Sequence, residues 1–131
     1  MSAKEFAEKF IKAEEEAWYK GNIDALDEVE DANVVYHFPA FPDVTGRDAH
    51  KQFIAGACKA FSNIKIDIKY LAGEGNLVGF FYNGRENYTG EFMGLPPGKG
   101  QEVVANELWL FRLKSGKVIE GWMYGTTTGL V

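Results

Sequence analysis

His37 stands between Tyr36 and Phe38 in the run Asn33-Val-Val-Tyr-His-Phe38. Histidine is the side chain whose ordinary pKa lies nearest neutrality, so facing a cavity it would serve as acid, base or hydrogen-bond partner. The structural alternative is an imidazole bonded to backbone near a strand end. Glu107 precedes Leu108-Trp109-Leu110-Phe111, and Glu120 precedes Gly121-Trp122-Met123-Tyr124. A carboxyl beside apolar rings has a raised pKa and can exchange protons; the alternative is a surface carboxylate, or a cross-strand pair with Arg112 or a lysine. Tyr88, Tyr124 and Thr126 carry hydroxyls that could orient a polar ligand group. Tyr36, Phe92, Trp109 and Trp122 supply aromatic wall, whether for a pocket or for a core.

Other reactive types carry less. Cys58 lies in an apolar helical stretch and reads as a buried, inert thiol. His50 is expected on the exposed side of its helix. The two histidines are far apart and lack a Cys or Asp/Glu partner at metal-ligand spacing, so no metal site is expected. Pro96-Pro-Gly-Lys-Gly100 lacks the second half of a phosphate-binding loop and precedes a strand, and no dinucleotide fingerprint or Gly-x-Ser-x-Gly is present. No cofactor is implied.

The candidates must be positioned by the elements around them. Ser2 to Lys20 places Phe6, Phe10, Ala13 and Ala17 at helical spacing, with Ile11 and Trp18 widening the stripe, and Gly21 stops the helix. Asn22 can cap a short second helix, Ile23 to about Glu30. Asn33 to Phe38 is β-branched and aromatic, a strand ended by Pro39 and Pro42. A third helix runs from Gly46-Arg-Asp48, with Asp48 as cap, to about Phe61. Ile64 to Ala72 alternates as a half-buried antiparallel strand. Leu77 to Asn83 follows, a turn is expected around Gly84, and Asn87 to Phe92 reads as a short strand. Met93 to Gly100 cannot be a strand interior. Glu102 to Leu113 and Lys117 to Thr127 form a hairpin around Lys114-Ser-Gly-Lys117. Period-2 geometry puts Glu107, Trp109 and Phe111 on one face, and Glu120, Trp122, Tyr124 and Thr126 on one face of the partner strand. Both faces are expected to line a pocket. Helices first and antiparallel strands after argue α+β.

The 131 residues fit one domain with a real core. Hydrophobic residues at 46% and charged residues at 25% exclude disorder, and aromatics at 15% exceed what one core needs. A net charge of −5, with no basic run, disfavours nucleic acid and anionic membranes. The single cysteine fits a reducing compartment, and no apolar stretch resembles a signal peptide or a membrane span. A cytoplasmic protein is expected.

Four stretches together resemble the SnoaL-like polyketide cyclase family of the nuclear transport factor 2-like superfamily. They are Val34-Val-Tyr-His-Phe-Pro39; Gly46-Arg-Asp48 with Ala60-Phe-Ser-Asn-Ile-Lys-Ile66; Thr89-Gly-Glu-Phe-Met-Gly-Leu-Pro-Pro-Gly-Lys99; and Phe111-Arg112 with Ser115-Gly-Lys-Val-Ile-Glu-Gly-Trp122 and Gly129-Leu130. The resemblance implies one such domain over the whole chain: a cone-shaped barrel, a curved and mostly antiparallel sheet wrapped on three N-terminal helices around a central pocket, often dimeric. In the cyclases a carboxylate four residues after this tryptophan is the acid/base of an intramolecular aldol closure. That position here is Thr126, whose hydroxyl cannot exchange protons near neutrality. A histidine common in the family's Thr-His-Thr-Gly segment is here Tyr88. Two readings stay open. One is a cofactor-free cyclase, isomerase or dehydratase acting on a small apolar or carbonyl-bearing molecule, with His37 and Glu107 catalytic and Tyr36, Tyr88, Phe92, Trp109, Trp122, Tyr124 and Thr126 binding the ligand. The other is a non-catalytic binding or dimerisation module. A homodimer is expected in either case.

Overall fold

A computed structural model describes residues 1–39 and 41–131. Helix α1 (Ala3–Lys20) begins where Ser2 Oγ accepts the Glu5 N–H at 3.1 Å and ends where Gly21 takes a left-handed φ of 70°. A 3-10 turn (Ile23–Glu28) leads into strand β1 (Glu30–His37), a two-residue strand β2 (Val44–Thr45) and helix α2 (Arg47–Ala60). Four long strands follow: β3 (Phe61–Glu74), β4 (Leu77–Tyr88), β5 (Gln101–Lys114) and β6 (Lys117–Thr128). Neither Asn22 nor Asp48 caps with its side chain; Gly46 precedes α2 at a φ of 92°.

The strands form one six-stranded sheet in the order β2-β1-β6-β5-β4-β3. All neighbours are antiparallel except β1 and β6. The sheet is open, with β2 and β3 as its edges, and both helices lie over it. The architecture is α+β, as the periodicities predict. The expected turn at Gly84 is absent: Gly84 sits mid-strand in β4, paired with Ile66 and Ala105. The expected strand over residues 87–92 ends instead at Tyr88, because the next residues are drawn aside when Thr89 and Gly90 both donate to the Ala60 carbonyl, at 3.0 and 2.9 Å. Among the described residues no helix is long and apolar enough to cross a membrane.

The core lies between the helices and the inner sheet face. Phe10 packs against Phe80 and Phe111 at centroid distances of 5.3 and 5.0 Å, and all three are fully enclosed. Each such ring contributes roughly 1.5–3 kcal/mol by leaving water. A second cluster of Phe61, Tyr88 and Val103 closes the end where β3 leaves α2. A cavity remains between the two clusters, bridged on one side by the Phe53–Phe92 contact.

Candidate active site

The cavity holds about 160 Å³. Its floor is the inner face of β4 and β5, where Tyr82, Gly84 and Glu86 run beside Ala105, Glu107 and Trp109. Glu14 and Trp18 reach it from α1, and His50, Phe53 and Ala57 from α2. Phe38 and Phe41 follow β1, and Phe92 comes from the 89–100 loop. Phe92 is fixed by Phe53 and Phe61, at 5.6 and 5.2 Å.

Behind the helical wall lies a polar group that the sequence reading missed. Glu30, the first residue of β1, is fully buried. Its Oε2 accepts the Tyr36 hydroxyl and lies 2.7 Å from Nδ1 of His50. Tyr36 keeps its proton, because burial and then the Glu30 charge hold its pKa well above the ordinary value. Burial alone would discharge His50, yet the nearby Glu30 carboxylate and the Glu14 charge together raise the imidazole above its usual value. Nδ1 faces the Glu30 carboxylate at ion-pair distance but off the line of a hydrogen bond, and the ring lies in the cavity wall.

His50 was expected on the exposed face of α2. It instead shares the inner stripe with Ile54 and Ala57, and its side chain is only 12% exposed. Four and seven residues separate these positions, so helical spacing carried the signal.

Three further carboxyls face the cavity. Glu14 is 4% exposed and accepts the Trp18 indole N–H at 2.9 Å, with i,i+4 spacing aligning the two. Burial, offset in part by His50, pushes its pKa up to about 7. Glu86 is likewise pushed up to about 7, by burial and then by the charge of Glu107. Glu107 accepts the Trp109 indole N–H at 3.1 Å, and burial raises its carboxyl above the ordinary range. Among the described residues no three His, Cys, Asp or Glu side chains are grouped to hold a metal ion.

Of the residues singled out from sequence, Tyr36, Phe92, Glu107 and Trp109 stand in the cavity wall. His37 does not. It lies on the opposite face of β1 from Tyr36, with Nδ1 3.0 Å from Asp43 and Nε2 2.7 Å from Glu120, so it cannot act with Glu107. Trp122, Tyr124 and Thr126 also face outward. Trp109 pairs with Met123 rather than with Trp122, and an antiparallel neighbour shares its partner's face. Trp122 lies against His37, centroids 5.8 Å apart, with the Arg112 guanidinium 5.5 Å from its ring. Tyr124 is 68% exposed. Tyr88 points inward but beyond the cavity, donating its hydroxyl to the Pro96 carbonyl at 2.8 Å and so pinning the 89–100 loop.

An aromatic chamber between an open sheet and two helices, with polar groups arriving from both layers, is an arrangement that many proteins share. The profile of the SnoaL-like polyketide cyclase family matches residues 8–130. The chain belongs to that family. Solved structures agree in fold. A candidate polyketide cyclase from Xanthomonas campestris is 25% identical, with 94% of this chain and 92% of that one aligned at a TM-score of 0.76. TsrD from Streptomyces laurentii aligns 92% and 87% of the two chains at 15% identity and a TM-score of 0.79. AclR from Streptomyces galilaeus, a candidate hydroxylase, aligns 95% and 91% at 22% identity and 0.76. No curated protein matches. Structures of this fold are thus named for different candidate chemistries, and a shared fold does not fix function. In this SnoaL-like chain the position four residues past Trp122 is exposed and faces away from the cavity, so a carboxylate there would not enter it either.

Proposed function

We propose that the protein is a cofactor-free enzyme that transfers protons on a small carbonyl compound in the central cavity, with aldol-type closure as the reaction its family suggests. The observation that carries this reading is the His50–Glu30 contact of 2.7 Å behind an aromatic chamber. The Glu30 carboxylate beside Nδ1 stabilises the imidazolium once Nε2 takes a proton. Glu14, with a pKa near 7, is in part protonated at neutrality and can donate.

Nε2 removes a proton from carbon next to a carbonyl, and the C–H electrons become an enolate. That carbon bonds to a second carbonyl carbon, whose C=O π electrons move to oxygen. The Glu14 carboxyl protonates this oxygen, and solvent returns the His50 proton to Glu14. Pairs of groups with displaced pKa values commonly divide acid and base roles in this way.

The test is exchange of the methyl protons of acetophenone in heavy water, followed by NMR. Wild-type protein accelerates exchange. His50→Gln loses most of that rate, about a hundredfold or more for a lost general base. His37→Gln keeps it. Equal rates in wild type and His50→Gln reject the assignment.

A further inference from the structure

The cavity has a second polar end, beyond His50. On its floor Gly84 and Ala105 are register partners, so two of the smallest side chains adjoin there. Glu86 lies two residues along β4 from Gly84, and Glu107 two residues along β5 from Ala105, on the same inner face. The two carboxyls therefore flank a shallow shelf. Each repels the other enough for Glu107 to raise Glu86. No lysine or arginine lines the cavity among the described residues. Tyr82, the register partner of Glu107, is half-buried in the cavity wall, and its hydroxyl has no hydrogen-bond partner among the described residues. Its ring stands 6.0 Å from that of Trp109, so the shelf has aromatic sides. Glu14 adds a third carboxyl from above, with one oxygen on Trp18 and the other unpartnered among the described residues.

At this end of the cavity half-buried carboxyls with no lysine or arginine beside them, an unpartnered phenol and π faces make a receptor for positive charge. His50 at the other end is the one basic side chain among the described lining residues. An anion placed between Glu86 and Glu107 is repelled by both carboxylates, while the ring faces attract a cation. Size sets a further limit, since a cavity of about 150 Å³ holds one benzene ring. We propose that this shelf selects a ring-sized aromatic compound bearing a protonated amine, held between Glu86 and Glu107, and that it excludes carboxylates and phosphates. The inference rests on the cavity's being the ligand site and adds to its carbonyl substrate the requirement for a protonated amine.

The sign of the pH dependence follows from the groups that face the amine. Glu14 and His50 face it from the helices, and Tyr82, Glu86 and Glu107 from the sheet, while Glu30 and Tyr36 stand behind His50. Glu14 and Glu86 release protons near 7, and His50 loses its positive charge in its own titration. Each change favours an ammonium, so affinity rises with pH through about 7. A neutral ligand that accepts hydrogen bonds from protonated carboxyls shows the reverse.

The experiment is calorimetric titration of the intact protein with benzylamine, benzyl alcohol and benzoate between pH 5.5 and 8.5. Benzylamine is expected to bind about tenfold or more tightly than the alcohol at pH 8, as for a charge-assisted hydrogen bond. Its affinity should fall as pH is lowered through 7, and benzoate should not bind. Glu86→Gln should remove the preference for the amine while the alcohol binds as before, which also reports that the variant is folded. Binding of the alcohol at or above the level of the amine, or binding of benzoate, overturns the amine inference and leaves the cavity reading intact. If none of the three probes binds, both fall.

Discussion

Nδ1 of His50 lies 2.7 Å from the Glu30 carboxylate, which has no exposed surface. One residue comes from the first turns of α2 and the other from the start of β1, so a single contact ties the helical layer to the sheet. Neither the second Glu30 oxygen, Oε1, nor His50 Nδ1 has a hydrogen-bond partner among the described residues. The pair is therefore costly to keep in the fold, and such groups persist where they serve chemistry.

Glu30→Gln should lower the His50 pKa, because burial then acts with less opposition. The Tyr36 hydroxyl retains an acceptor, so the fold survives at a cost of about 1–3 kcal/mol. An NMR titration of the His50 ring reads the first effect and urea unfolding the second. An unmoved His50 titration would deny Glu30 its role.

Stability should fall as pH rises from about 4.5 to about 7. Glu14 is protonated in the fold up to about 7, while the unfolded chain releases that proton near 4.5, so the folded state binds more protons across this window. Keeping the ionised form buried costs on the order of 3 kcal/mol. His50 acts in the same direction: its stabilisation is complete below its unfolded pKa, about 6.5, and is lost as pH climbs through the raised folded value. Glu14→Gln keeps an acceptor for Trp18 and removes the ionisation. Its Tm should exceed that of wild type at pH 8 and match it near pH 5. Parallel Tm profiles would contradict the burial of this carboxyl.

Part of each layer of this arrangement was legible in the chain: Glu107 and Trp109 of the sheet were read as pocket residues, whereas Glu14 and His50 of the helices were not. The α1 stripe, the glycine stop and the final hairpin follow from spacing alone. So does the inward face of His50, through Ile54 and Ala57, although the polarity of histidine argued for water. The hairpin misleads for a physical reason. Ser115 and Gly116 adopt φ values of 52° and 74°, and Lys114 pairs with Lys117 and Leu113 with Val118. Continued regularly, that register sets Trp109 opposite Trp122. A bulge at Ile119 inserts one residue, so Arg112 meets Glu120 and Trp109 meets Met123. A one-residue slip reverses every later side chain, which sent Trp122, Tyr124 and Thr126 outside. No residue type announces such a bulge.

The two indoles should therefore respond differently to truncation. Trp109 is 7% exposed and touches Tyr36, Phe38 and Phe111 at centroid distances of 5.4–5.5 Å. Trp109→Ala should cost about 3–5 kcal/mol and abolish ligand binding. Trp122→Ala loses its contacts with His37 and Arg112, about 1 kcal/mol, and leaves the cavity unchanged. Denaturant midpoints and probe binding measure both; equal losses would mean that the register is wrong.

Gly121 should not tolerate a methyl group. It lies on the inner face of β6 opposite Phe111, and a Cβ there would stand 2.7 Å from ring carbons of both Phe111 and Tyr36. Neither ring can retreat freely, since Phe111 is held by Phe10 and Phe80, and Tyr36 by the Glu30 carboxylate. Gly121→Ala should thus cost about 1–3 kcal/mol as an overpacked core does. Because Tyr36 and His50 share Glu30, the same substitution should also move the His50 titration, although it introduces no charge. A loss of stability with an unchanged His50 pKa would show that β6 and the His50–Glu30 pair are mechanically independent.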